Sequence, residues 1–94
     1  MIYEELKERD LLGKRRNKFD IIEDLLTVAN KSKGVSKTLL VYQTNLNFRR
    51  IDDFLLYLME RGLIERMNEQ GQRFATTMKG RECLLRLSFL KELI

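Results

Sequence analysis

Asn47, Arg49 and Arg50 stand at the head of an amphipathic stretch, with Asp53 and Tyr57 further along it. These residue types suit base-edge recognition: arginine pairs with guanine at two points, and asparagine with adenine. The alternative is structural, with both arginines exposed and partly paired with Asp52 or Asp53 one turn on. Ser36, Lys37 and Thr38 form a second group. Small hydroxyls and a lysine at a helix start suit a phosphate oxygen, and they equally suit plain helix capping. Asn45 either binds phosphate or holds a turn. Arg66, Gln70, Gln72 and Arg73 bracket a glycine and could reach a nucleic-acid backbone, although Glu69 dilutes the field there. Lys14, Arg15, Arg16 and Lys18 form either a basic arm or a linker that stays in water.

The rest of the composition narrows the chemistry. There is no histidine among the 94 residues. That removes the usual general base, nucleophile activator and zinc ligand together. One cysteine, Cys83, forms no internal disulfide and fits a reducing compartment. The five glycines (13, 34, 62, 71 and 80) lie too far apart for a phosphate loop. No catalytic residues, metal or cofactor are expected. With 44% apolar and 34% charged residues, the chain suits one small globular domain rather than a disordered one. The net charge of +4 is unevenly placed: residues 14–50 hold nine basic and three acidic groups, residues 51–94 seven of each. A basic half suits phosphates, and it equally suits an ordinary solvated surface. No apolar run approaches the roughly 18 residues that cross a membrane. The first residues lack the order of a signal peptide. The expectation is a cytoplasmic protein with no membrane partner, nucleoid-associated if it binds DNA.

These side chains need elements to hold them. Residues 2–12 allow a short helix, with Ile2, Tyr3, Leu6, Leu11 and Leu12 on its apolar side and Gly13 at its end. A helix over about residues 18–30 takes Asn17 as N-cap and Asp20 at its third position. Phe19, Ile22, Leu26 and Ala29 give it a buried stripe, with Ile21, Leu25 and Val28 beside them. After a loop over 31–34, a short helix over about 37–43 is capped by Ser36. Thr44 and Asn45 then turn the chain, and Leu46 plugs inward. The next helix starts after Asn47 and buries Phe48, Ile51, Leu55, Leu58 and Met59, flanked by Phe54. The same periodicity turns Arg49, Asp53, Leu56, Tyr57 and Glu60 outward, with Arg50 at the edge. Two helices joined by a tight turn form the helix-turn-helix pattern. Gly62 stops this helix, and residues 63–67 and 72–76 read as a hairpin. Thr77 caps a last helix. The fold class is mainly α with a small β-hairpin wing.

The stretches Arg-Arg-Asn-Lys-Phe-Asp-Ile-Ile (15–22), Lys-Thr (37–38), Tyr42, Asn-Leu-Asn-Phe (45–48), Gly-Leu-Ile-Glu (62–65) and Thr-Met-Lys-Gly (77–80) occur in a telling order. Through them the chain resembles the small winged helix-turn-helix proteins common in archaea, including dimeric DNA-binding members of chromatin-protein type. The resemblance covers roughly residues 15–94. It implies an α-α-α-β-β-α fold with a recognition helix in the major groove, a wing near the backbone or minor groove, and dimerisation through the last helix. An extension over residues 1–13 would precede a domain over 14–94. Two positions depart from that pattern. Leu39 replaces a polar or basic residue, which removes one phosphate contact and suggests a covered second helix. Thr76 replaces the apolar residue that closes the second wing strand.

In the last helix, over about residues 77–94, Cys83, Leu87, Leu90 and Ile94 recur at 4-3-4 spacing, and Leu84, Leu85, Phe89 and Leu93 widen the seam. One face must return to the core, and the surplus is too apolar to leave in water. The expectation is a homodimer through Cys83, Leu84, Leu87, Leu90, Leu93 and Ile94, its two recognition helices reading two half-sites. The alternative is a monomer whose N-terminal segment covers the surplus. The expected partner is double-stranded DNA, bound specifically or generally by a transcriptional regulator or chromatin-associated protein. The alternative is a protein-interaction module, which Leu39 and the acidic residues of the third helix favour. Fold does not choose between them.

Overall fold

The computed structural model describes residues 17–67 and 72–94. The expected helix over 2–12, the cluster Lys14, Arg15 and Arg16, and Gln70 with the hairpin turn lie outside the described residues.

Helix α1 (Lys18–Val28) opens on a reciprocal cap. The Asp20 amide donates to Asn17 Oδ1 at 2.9 Å, and the Asn17 amide donates to Asp20 Oδ2 at 3.3 Å. Two otherwise orphaned donors are thus satisfied at once. Strand β1 (Val35–Ser36) was not foreseen by the sequence reading. Two residues carry no period, and only the antiparallel pairing of Val35 with Phe74 and Ser36 with Arg73 makes them a strand. Helix α2 (Lys37–Thr44) follows directly, its Leu39 amide donating to Ser36 Oγ at 3.1 Å. Asn45 closes it in the left-handed region, at φ 60°, which asparagine tolerates better than most residues. Leu46 is buried below the turn, as its position predicts.

Helix α3 (Phe48–Glu60) is capped by Asn47, whose Oδ1 accepts from the Arg50 amide at 2.8 Å. Its end is set by Gly62, at φ 73°. The Gly62 amide donates to the Met59 carbonyl at 3.0 Å and the Leu63 amide to the Leu58 carbonyl at 2.9 Å. This paired closure leads the chain into strand β2 (Ile64–Met67). Strand β3 (Arg73–Thr76) returns between β1 and β2, giving the antiparallel order β1-β3-β2. Helix α4 (Met78–Leu93) completes the chain. Thr77 Oγ1 accepts from the Gly80 amide and donates to the Gly62 carbonyl, so one hydroxyl ties the start of α4 to the end of α3. A Cβ on Gly80 would collide with the Leu63 carbonyl, so glycine alone permits that approach.

The core gathers Ile22, Leu25 and Leu26 from α1, Leu40 from α2, Ile51, Leu55 and Leu58 from α3, and Ile64 and Phe74 from the sheet. Full burial of each large side chain contributes about 1.5–3 kcal/mol before chain entropy opposes it. Two aromatic residues depart from the expected stripes. Phe19 is 59% exposed, because the midline of the buried face of α1 runs through Ile22, Leu25 and Ala29, about 90° round the helix. Phe48 is 51% exposed at the first position of α3, where Leu46 fills the space under the turn. The unusual Thr76 is buried, and its reason is visible. Its Oγ1 donates to the Leu26 carbonyl at 2.7 Å and its amide to the Ala29 carbonyl at 2.9 Å. Carbonyls at the end of α1, which lack partners within the helix, are satisfied from β3.

Candidate nucleic-acid interface

The N-terminal ends of α2 and α3 are joined by an ion pair. Lys37 Nζ lies 2.6 Å from Asp52 Oδ1, with side chains 33% and 56% exposed. Lys37 thus spends one of its donors inside the helix-turn-helix unit and keeps two for an outside acceptor. Thr38 is exposed beside it. Ser36 and Asn47 both cap helices through their side-chain oxygens. The Oδ1 of Asn47 is therefore engaged, leaving its NH2 group as the available half of the amide. Asn45 holds the turn through its left-handed backbone and its backbone N–H, which donates to the Val41 carbonyl.

The outward face of α3 carries Arg49, Asp53, Leu56 and Glu60, all exposed. Among the described residues Arg49 makes no ion pair, and it lies in the first turn, at the end of α3 next to the turn. Two of the nominated residues turn aside. Arg50 places its guanidinium carbon 5.8 Å from the centre of the Phe54 ring. Tyr57 is half-buried between two cations, with Lys18 Nζ at 4.7 Å and the Arg61 guanidinium carbon at 3.7 Å from its ring centre. The expectation that Tyr57 projects freely with Arg49 is corrected: Tyr57 lies on the flank of α3 that faces the start of α1.

The wing divides in the same way. Arg66 is exposed, its guanidinium carbon 5.7 Å from the Phe74 ring centre, and Gln72 is exposed just before β3. Arg73 is committed to the fold. Its Nε donates to the Lys33 carbonyl and its Nη2 to the Gly34 carbonyl, each at 3.0 Å, which pins the loop before β1 against β3. A lone arginine in a strand gives no sign in sequence of carbonyls 39 and 40 residues away.

The expected seam on α4 is split. Cys83, Leu84 and Leu87 pack half-buried against the core of their own chain. Leu90, Leu93 and Ile94 are exposed at 53%, 68% and 96%. The outward stripe instead includes Leu85 at 71% and Phe89 at 63%. The cause is the anchorage of α4 on α1. Lys91 Nζ lies 2.6 Å from both Asp20 Oδ1 and Glu23 Oε1, and Ser88 Oγ donates to Glu23 at 3.3 Å. Hydrogen bonds first to Asp20 and then to Glu23 raise the pKa of Lys91 well above its ordinary value of 10.5. Sequence reading missed this clamp, which joins residues 68 and 71 positions apart. It also missed Arg61, although the spacing of Tyr57 and Arg61 by four on one helix was a usable signal.

A three-helix unit closed by a helix-turn-helix, followed by a sheet hairpin, agrees with what a family profile detects in the sequence. The winged helix-turn-helix profile matches residues 15–94. The chain belongs to the winged helix-turn-helix family. No curated protein matches it in sequence. Among solved structures it is similar to the MarR family transcriptional regulator SPO1453 from Silicibacter pomeroyi DSS-3, with a TM-score of 0.65 and 16% identity. That likeness takes in 94% of this chain and 64% of the regulator, so the chain spans less than two thirds of its length. At that identity the likeness is one of fold. In winged-helix terms, α3 is the recognition helix and the β2–β3 hairpin is the wing. Among the described residues no group of three histidine, cysteine, aspartate or glutamate side chains could hold a metal, and no helix is long and apolar enough to cross a membrane.

Proposed function

We propose that this winged helix binds double-stranded DNA, as a transcriptional regulator or chromatin-associated protein. The observation that carries the reading is the first turn of α3, where Arg49 is exposed and, among the described residues, has no ion-pair partner; it lies beside the amide of Asn47, with Lys37 and Thr38 at the neighbouring helix start. A helix enters the major groove by this end, and such groups suit base edges and phosphates there. Arg66 and Gln72 would add wing contacts to the backbone, and Lys14, Arg15 and Arg16 a sequence-independent attraction.

Lys37, Arg49 and Arg66, with Lys14, Arg15 and Arg16, would neutralise about six phosphates. The logarithm of the affinity for a generic duplex should then fall against log salt with a slope of about −5. Fluorescence anisotropy at several ionic strengths tests this, and a flat response removes the claim. Selection from a random DNA pool, with the Arg49→Ala, Arg50→Ala double variant as control, then separates specific from general binding.

The reading includes a homodimer, with a partner copy on the exposed Leu85, Phe89 and Leu93 of α4. These residues are 71%, 63% and 68% exposed. Such an apolar stripe is unusual on a small protein in water. A DNA-binding protein of this kind would work in the cytoplasm, on the nucleoid.

One observation favours a second reading, a protein-docking module. Tyr42 at 80%, Leu56 at 56%, Phe48 at 51% and Leu39 at 37% exposure lie on the helix-turn-helix unit itself. Absence of any shift of generic duplex in a gel at low salt would favour it.

A further inference from the structure

A cleft of about 320 Å³ opens between the first turn of α1 and the flank of α3, lined by Lys18, Ile21, Arg50, Asp53, Phe54 and Tyr57. Its size falls at the small end of ligand sites. Its composition is not that of an ordinary solvated seam. Ile21, Phe54 and Tyr57 give it an apolar floor, and two cations flank that floor. Lys18 lies 4.7 Å from the ring centre of Tyr57, and Arg50 lies 5.8 Å from that of Phe54. Among the described residues neither cation has a carboxylate partner within ion-pair distance. Among the described residues each lies over a ring face, a weaker partner than a carboxylate. An anion that enters therefore finds two donors without displacing an existing ion pair. With Asp53 among them, the lining residues carry one positive charge in excess, which suits a single negative charge and disfavours a phosphate dianion.

We propose that this cleft is a binding site for a small organic carboxylate with a flat apolar body. The carboxylate bridges Lys18 and Arg50, and the body lies over Phe54 and Ile21, beside the Tyr57 ring. Arg50 heads the recognition helix, so an occupant would draw it further from the outward face. That coupling rests on the proposed DNA reading; occupancy of the cleft does not.

The test is a titration of the isotope-labelled full chain with 3-phenylpropionate, followed by amide NMR shifts without DNA. A ligand of that size making ordinary contacts should half-saturate below about 10 mM. The expected result is saturable movement of the amides of Lys18, Ile21, Arg50, Asp53, Phe54 and Tyr57. Acetate lacks the apolar body and phenethylamine carries the opposite charge; neither should saturate those amides in the same range. Lys18→Ala and Arg50→Ala should each weaken binding at least threefold. Both side chains are exposed, so each variant should keep the wild-type spectrum elsewhere. Equal responses to phenethylamine, or binding indifferent to both substitutions, would overturn the site. Because no DNA is present, that failure is separate from any failure of the DNA reading.

Discussion

Two of the arginines nominated for DNA binding, Arg49 and Arg73, sit in different surroundings, which sets up a paired test. Arg49 is exposed on the first turn of α3. Arg73 donates twice to backbone carbonyls at 3.0 Å. Arg49→Ala should leave stability unchanged, since the side chain has no ion pair to lose among the described residues. If Arg49 reaches a base edge or phosphate, the variant loses about 1–3 kcal/mol of binding, or 5- to 150-fold in affinity. A phosphate contact also makes the salt slope shallower by about 1. Arg73→Ala should do the reverse. Charge-assisted bonds contribute about 1.5–3 kcal/mol each when buried. Arg73 is only half-buried, so about 2 kcal/mol for the pair is a fair expectation. In a domain of this size that lowers Tm by about 8–16 °C. At a temperature where the variant stays folded, its DNA affinity and salt slope should match the wild type. Thermal denaturation and anisotropy on the same two proteins read both axes. The reasoning is refuted if Arg73→Ala flattens the slope with Tm unmoved, or if Arg49→Ala binds generic duplex as the wild type does.

Other substitutions probe the frame. Thr76→Val keeps the shape but removes the donor to the buried Leu26 carbonyl, so about 1–2 kcal/mol should be lost in urea denaturation; an unchanged midpoint would show that water replaces the hydroxyl. Lys91→Met breaks both ion pairs to α1 and, after solvent screening, should cost about 0.5–1.5 kcal/mol. Because the folded pKa of Lys91 is raised, its contribution is complete below 10.5 and is lost only as pH rises through the still higher folded value. The stability gap between wild type and Lys91→Met should therefore hold from pH 7 to about pH 10 and close only above, as denaturation at several pH values would show. Leu85→Glu with Phe89→Glu should convert a dimer to a monomer in sedimentation equilibrium at about 50 μM; a dimer that survives both charges uses another surface.

Helix starts were legible because capping is local. Asn17, Ser36, Asn47 and Thr77 each announce a helix by residue type and position, and each accepts the amide its place requires. Gly62 was legible for the same reason: the left-handed closure lies within the helix's own last turn. What escaped was long-range. β1 exists only through its partner strand. The roles of Arg73, Thr76 and Lys91 depend on groups 39 to 71 residues distant. The α4 seam illustrates the difference. A hydrophobic period reports that two faces are apolar, but not which one meets the core. That choice is made by Gly80 lying against Leu63 and by Lys91 reaching α1.

The recognition helix poses a last electrostatic question. Its outward face sets one arginine against Asp53 and Glu60. Asp53 follows Arg49 by four positions, near enough to weaken its field. If that face lies against a phosphate backbone, Asp53→Asn removes a repulsion. A unit charge about 8 Å from a phosphate interacts with about 0.5 kcal/mol in water and about 2 kcal/mol near a protein surface. Generic-duplex affinity at low salt should then rise about 2- to 30-fold. If Asp53 instead accepts from a cytosine amino group, affinity for the selected sequence falls by about 1–3 kcal/mol while that for generic duplex still rises. Both outcomes place this face of the helix against DNA, and their ratio says whether Asp53 discriminates. An affinity for generic duplex that does not move would mean that this face never approaches the backbone. The exposed Tyr42, Phe48 and Leu56 would then be the better guide to the partner, and that partner would be a protein.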